Sequence, residues 1–239
     1  MYKYIIFDVD DTLLDYGSAY RDAQKTIAMK LGIEYTAEYV ALDDACGWKA
    51  WRESGLDNTD SADVQAHYHM YYRQYIRKHF QYLLTELDIS MDVQELTTEY
   101  MDCISRSKVF MEPDTLRIYA ELAERYSLVL ATNGVEEIQK GRVVDFLPYT
   151  YRVFISETIG CIKPSKAFFS YLLQNLACTP EECLMVGDSL TNDILGAKTA
   201  GMDVCYYNRK KKAVPDGVAV TYEIQHINEL AEILMGDML

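Results

Sequence analysis

Five short apolar runs, each ending at polar, turn-forming residues, constrain this chain more than any other feature. They are Tyr4–Phe7, Leu128–Ala131, Val153–Ile155, Leu184–Val186 and Val204–Tyr207. None alternates apolar with polar residues, so each needs cover on both faces, as strands inside a parallel sheet do. Helical periodicity separates the later runs, over Thr115–Arg125, Val135–Phe146, Ser165–Leu176 and Asn192–Ala200. Strand and helix in alternation predict an α/β fold built on an open parallel sheet with right-handed crossovers.

Residues 17–108 break that rhythm. The interval holds no convincing strand but four helical stretches: Ser18–Leu31, Ala37–Ala50, Ala62–Leu84 and Val93–Ser107. A helical block between the first strand and the remainder predicts an inserted domain, with residues 1–16 and 109–239 forming the α/β core. Asp15-Tyr16-Gly17 and Glu112-Pro113-Asp114 are the expected hinges.

Charge narrows the partners. The 239 residues carry 23 Lys and Arg against 37 Asp and Glu, a net charge of −14. Such a surface repels nucleic-acid polymers and anionic membranes, leaving a small molecule as the expected partner. The basic run Arg209-Lys210-Lys211-Lys212 is expected to be a solvated loop. No apolar stretch approaches the roughly 20 residues that span a bilayer. The start, Met1 to Asp8, turns acidic too soon for a secretion signal, so a cytoplasmic protein is expected. Six cysteines without CxxC pairing read as reduced thiols. The four histidines lack zinc-site spacing.

Four motifs carry chemistry. Asp8-Val9-Asp10-Asp11-Thr12-Leu13 follows the first run directly. In extended backbone Asp8 and Asp10 share a face. Two carboxylates about 4 Å apart repel by roughly 4 kcal/mol at an effective dielectric near 20, a cost that a divalent cation offsets. Oxygen ligands alone favour Mg²⁺; an acidic turn capping the next element would use the same residues. Thr132-Asn133-Gly134 ends the second run and opens a helix, either as an anion site or as a simple cap. Lys163, stiffened by Pro164, is either a fixed charge for phosphate or an exposed loop lysine. In Gly187-Asp188-Ser189-Leu190-Thr191-Asn192-Asp193, Gly187 allows a tight strand exit and the two acids bracket the first turn of a helix. They suit a metal ligand with a supporting partner, or plain helix capping. Three of the four motifs lie at the carboxyl ends of strands and the fourth feeds a helix, and that edge of an open α/β sheet is where ligands bind.

In order and spacing these motifs resemble those of the haloacid dehalogenase superfamily. The resemblance implies a Rossmann-like core with a C1-type helical cap over 17–108. It also implies Asp8 as nucleophile, Asp10 as general acid and base, and Thr132, Asn133 and Lys163 as phosphate-binding residues. Mg²⁺ would then be held by Asp8, Asp10 and Asp188, with Thr12 and Asp193 in support. The segments DVDDTLLD (Asp8–Asp15), FISETIG (Phe154–Gly160) and GDSLTND (Gly187–Asp193) are similar to a branch of nucleoside 5'-monophosphate phosphatases with a pyrimidine leaning. A phosphorylated metabolite, most naturally a nucleotide, is the implied substrate of a monomer or homodimer.

Within the insertion, the aromatic stretch His67–Tyr75, with Trp48, Trp51, Arg73 and Arg77, reads as packing core or as a surface for a nucleobase. Sugar-phosphate phosphatases and phosphomutases of the same superfamily would share the core motifs. A dehalogenase would not need Asp10 as a proton donor. A receiver-like signalling module would phosphorylate a strand-end Asp but needs no cap.

Overall fold

The computed structural model describes residues 2–59, 61–215 and 217–236. Its strands are β1 (Tyr4–Phe7), β2 (Ser127–Thr132), β3 (Thr150–Ile155), β4 (Cys183–Gly187), β5 (Asp203–Tyr207) and β6 (Tyr222–Ile224). All neighbours pair in parallel, in the order β3-β2-β1-β4-β5-β6. Because the four inner strands, β2, β1, β4 and β5, are apolar on both sides, alternate residues feed opposite cores. Ile5 and Phe7 pack with Ile118, Tyr119, Leu122, Phe146 and Leu230, while Tyr4 and Ile6 pack with Phe168, Leu172, Met185 and Ile194. Two covered faces explain the missing alternation.

The order of strand addition switches sides at β1, which has β2 on one side and β4 on the other. Crossovers leave this point in opposite directions, opening a crevice beyond the carboxyl ends of β1 and β4. Phe7 is opposite Leu130 on β2 and Val186 on β4, so Asp8, Thr132 and Asp188 all emerge along one edge.

Several elements differ from the sequence pattern. Val135–Phe146 is two pieces, an α-helix Glu136–Arg142 and a 3₁₀ turn Val144–Tyr149 containing Pro148. β3 begins at Thr150, ahead of the apolar run, since Tyr151 and Arg152 lie on an exposed edge. β6 and the helix Ile227–Met235 follow a polar, Lys- and Pro-containing stretch and carry no apolar run of strand length.

The chain divides into two compact units, one of residues 1–15, 109–136 and 143–239, the other of residues 16–108 and 137–142. In the first, the strand-1 exit and the returning chain run side by side: Asp15 N donates to Val109 O at 2.9 Å and Met111 N to Leu13 O at 2.9 Å. The second contains α1 (Tyr16–Leu31), α2 (Ala37–Glu53), α3 (Ala62–Glu86) and α4 (Val93–Arg106), with α1 on α4 and α2 on α3. Tyr68, Tyr72 and Tyr75 are buried in its interior, where Tyr16 and Tyr72 hydroxyls meet at 3.3 Å. Trp51 packs edge-on to Tyr75, and Trp48 is exposed. Tyr68, Tyr72 and Tyr75 are therefore packing core, while His67 and Met70 of the same stretch are exposed. Among the described residues no helix is long and apolar enough to cross a membrane.

Candidate active site

Asp8 leaves β1 with its backbone still in the sheet, Asp8 N donating to Val186 O at 2.9 Å. The chain then folds into a tight turn instead of continuing extended. Leu13 N and Leu14 N both donate to Val9 O, and Asp11 takes a left-handed conformation (φ 63°). Asp tolerates that region better than most residues. The turn returns Thr12 to the strand ends, where its hydroxyl donates to Asp8 Oδ2 at 3.1 Å and accepts from Asp188 N at 3.2 Å. One side chain thus ties the exits of β1 and β4 together.

Lys163 is 1% exposed, not a solvated loop residue. Its Nζ lies 2.6 Å from Asp8 Oδ1 and 2.7 Å from Asp193 Oδ1. Burial alone would push its proton off, but the carboxylates of Asp193 and Asp8 outweigh burial and hold the ammonium more firmly protonated than usual. Asn133 fixes the Lys163 backbone from both sides. Its Oδ1 accepts from Lys163 N and its Nδ2 donates to Lys163 O, each at 2.8 Å. This commitment of the carboxamide to the Lys163 peptide was not legible in the Thr-Asn-Gly motif. Thr132 is buried at the end of β2, its hydroxyl 3.4 Å from Asn133 O. Ser156, which the sequence pattern did not single out, holds the same loop by accepting from Gly134 N at 2.9 Å.

Asp193 owes its place to a π-helical turn, Leu190–Leu195, capped by Ser189. Both Asp193 N and Ile194 N donate to Ser189 O. The widened turn points the carboxylate back at the sheet, where Oδ2 accepts from Ser189 N at 3.1 Å. π-turns of this kind concentrate at functional sites. Gly187 makes room for it: a methyl there would sit 2.6 Å from Asp193 Cβ. Its lack of a side chain serves this close approach, and its backbone is not left-handed.

The carboxylates of Asp8, Asp188 and Asp193 offer oxygens all within 4.8 Å of one another. Asp10, expected beside them, is partly exposed at an isolated bridge to Leu14, and its carboxylate is not in this trio. Burial first, then the neighbouring acids, drive the Asp8 carboxyl well above the usual range despite Lys163. Burial and the Asp193 charge push Asp188 up to about 7. Oxygen-only donors, crowded together and resisting ionisation, fit a hard divalent cation.

Residues 2–201 match the haloacid dehalogenase-like hydrolase family. YfnB of Bacillus subtilis, named as a HAD-hydrolase, is 28% identical over 240 residues, covering 98% of this chain and 95% of its own. Its crystal structure bound to magnesium superposes with a TM-score of 0.80, covering 98% of this chain and 99% of that one. The pyrimidine 5'-nucleotidase PynA of Streptococcus pneumoniae is 27% identical over 245 residues, covering 100% and 97%. The pyrimidine 5'-nucleotidase YjjG of Escherichia coli is 35% identical over 109 residues, covering 44% and 48%. By the family match and the six-stranded parallel fold, the chain belongs to the haloacid dehalogenase-like hydrolases.

Proposed function

We propose that this protein is a Mg²⁺-dependent phosphomonoesterase that hydrolyses nucleoside 5'-monophosphates, with a preference for pyrimidines, through an aspartyl-phosphate on Asp8. The observation that carries the reading is the buried Lys163 ammonium 2.6 Å from Asp8 Oδ1, beside a trio of carboxylates at the sheet's switch point. A fixed cation against a strand-end carboxylate suits a group that must meet an anion and attack it.

Asp8, Asp10 and Asp188 would hold the ion, with Asp193 directing Lys163. When bound, Mg²⁺ supplies positive charge that offsets both the phosphate dianion and the acids around it. Lys163 has three N–H donors, of which Asp8 and Asp193 take two, leaving one for a phosphoryl oxygen. The Thr132 hydroxyl lies on the same edge as a second donor, while Asn133 keeps Lys163 in place. An Asp8 oxygen attacks phosphorus; the ester P–O bond breaks, and Asp10 gives its proton to the leaving 5'-oxygen. Asp10 then takes a proton from water, whose oxygen attacks phosphorus, breaks the Asp8 O–P bond and releases inorganic phosphate.

The nucleotide preference is supported by PynA, which is similar over the whole chain, and by YjjG over part of it. The helical unit is assigned the role of substrate-selecting cap. The test is phosphate release, with and without Mg²⁺, from UMP, dUMP, dTMP, purine monophosphates and sugar phosphates. Mg²⁺-dependent turnover highest on the pyrimidine nucleotides, lost in Asp8→Asn, is expected. Faster release from sugar phosphates would overturn the nucleotide assignment, and turnover retained in Asp8→Asn would overturn the nucleophile.

A further inference from the structure

We propose that the basic loop Arg209–Lys212 is an anion-receiving rim of the active-site crevice, drawing the phosphate dianion toward a site that is otherwise acidic. This rests on the phosphatase reading for its purpose but not for its test. Sequence alone makes the run a solvated loop, and it is exposed; its place in the fold gives that exposed charge a direction. It leaves the carboxyl end of β5, the strand beside β4, which ends at Gly187. Arg209, Lys210 and Lys212 line a small pocket of about 20 Å³ together with Asp188 and Asp11.

The loop is held in shape from within. Buried Asn208 donates through Nδ2 to Lys212 O at 2.8 Å and to Glu223 Oε1 at 2.6 Å. Its Oδ1 accepts from Lys212 N at 2.8 Å. Lys211 N donates to Asn208 O at 3.0 Å, and Lys211 is left-handed at φ 51°. Clasped at both the amide and the carbonyl of Lys212, the chain doubles back, and four consecutive cations stay exposed at one corner of the crevice.

Electrostatics supplies the reason. A chain of net charge −14 repels dianions at long range, and Asp8, Asp188 and Asp193 repel them at short range. A local positive patch at the mouth reverses the field where it matters, and such patches raise encounter rates by about 10- to 1000-fold in favourable cases. Because the side chains are exposed, the effect acts over a Debye length, about 10 Å at 0.1 M salt, and fades as salt rises.

The test compares the wild type with the triple variant Lys210→Gln/Lys211→Gln/Lys212→Gln. A charge-matched control, Lys3→Gln/Arg117→Gln/Arg152→Gln, removes exposed cations elsewhere on the same unit. The probe is inorganic phosphate in Mg²⁺ buffer, titrated by calorimetry at about 20 mM and about 500 mM salt. The loop variant should bind phosphate about five- to tenfold more weakly at low salt and within about twofold of wild type at high salt, with the control unchanged throughout. In turnover the loss should fall on KM rather than kcat. Equal affinities of wild type and loop variant, an equal loss in the control, or a loss that survives high salt would each overturn the rim. Loop-dependent phosphate binding without ester hydrolysis would refute the phosphatase reading and leave the rim standing. Full hydrolysis with loop-independent binding would do the reverse, and no phosphate binding at all would overturn both.

Discussion

Replacing Lys163 with methionine keeps much of the side chain's bulk but removes its charge and its hydrogen bonds to Asp8 and Asp193. In the native site that charge is fully buried, 2.6 Å from Asp8 and 2.7 Å from Asp193. Without it the two carboxylates face each other, and deleting one partner of a buried ion pair costs about 3–5 kcal/mol. For a chain of 150–250 residues that corresponds to a fall in Tm of about 6–20 °C. The cost should depend on pH in a definite direction. The Lys163 ammonium is held protonated above its ordinary value, so in the wild type it stays charged across any neutral assay. The Asp8 carboxyl already sits well above its usual range, and losing the adjacent cation raises it further. A carboxyl whose folded pKa is raised contributes stability below its unfolded pKa and loses it as pH rises through the folded value. The variant should therefore lie close to wild type near pH 4.5 and fall behind progressively toward pH 8. The assay is thermal unfolding of the metal-free proteins at matched ionic strength across that range. A deficit of the same size at every pH would show that methionine harms the site by packing alone and would refute the electrostatic reasoning.

Two further substitutions probe the same cluster. Gly187→Ala sets a methyl against Asp193 and should cost about 1–3 kcal/mol in thermal melts, with phosphate release falling at least tenfold as Lys163 loses its partner. Asp188→Asn removes a carboxyl that burial and Asp193 hold near 7. In the metal-free protein it should raise Tm at pH 8 and leave it unchanged near pH 4, and it should abolish the stabilisation expected for the wild type in millimolar Mg²⁺.

The fold was readable because the four inner strands are buried on both faces. Such strands show as unbroken apolar runs, and their ends locate Asp8, Thr132 and Asp188 on one edge without any further signal. What the sequence pattern leaves unmarked depends on backbone detail. Tyr151 and Arg152 extend β3 where the edge is exposed, so no apolar pattern marks them. β6 has three residues and follows a polar loop, too short to register as periodicity. The π-turn at Leu190–Leu195 reads in sequence like the start of a helix, yet its extra residue per turn aims Asp193 at Lys163. In sequence Asn133 fits an anion site or a simple cap equally, and only the family resemblance makes it phosphate-binding. Only the fold shows that Lys163, 30 positions later, occupies its hydrogen bonds. Burial decided Lys163 itself, since composition cannot separate a buried lysine from the exposed ones near it.

The proposed reaction runs through a covalent bond between phosphorus and the Asp8 carboxylate. Acid quench of the enzyme turning over a pyrimidine nucleotide, followed by borohydride reduction and peptide mass analysis, reads that bond directly. Homoserine at position 8, absent without Mg²⁺ or substrate, is the predicted result. An unmodified Asp8 under conditions of rapid phosphate release, or the modification at another aspartate, would contradict it.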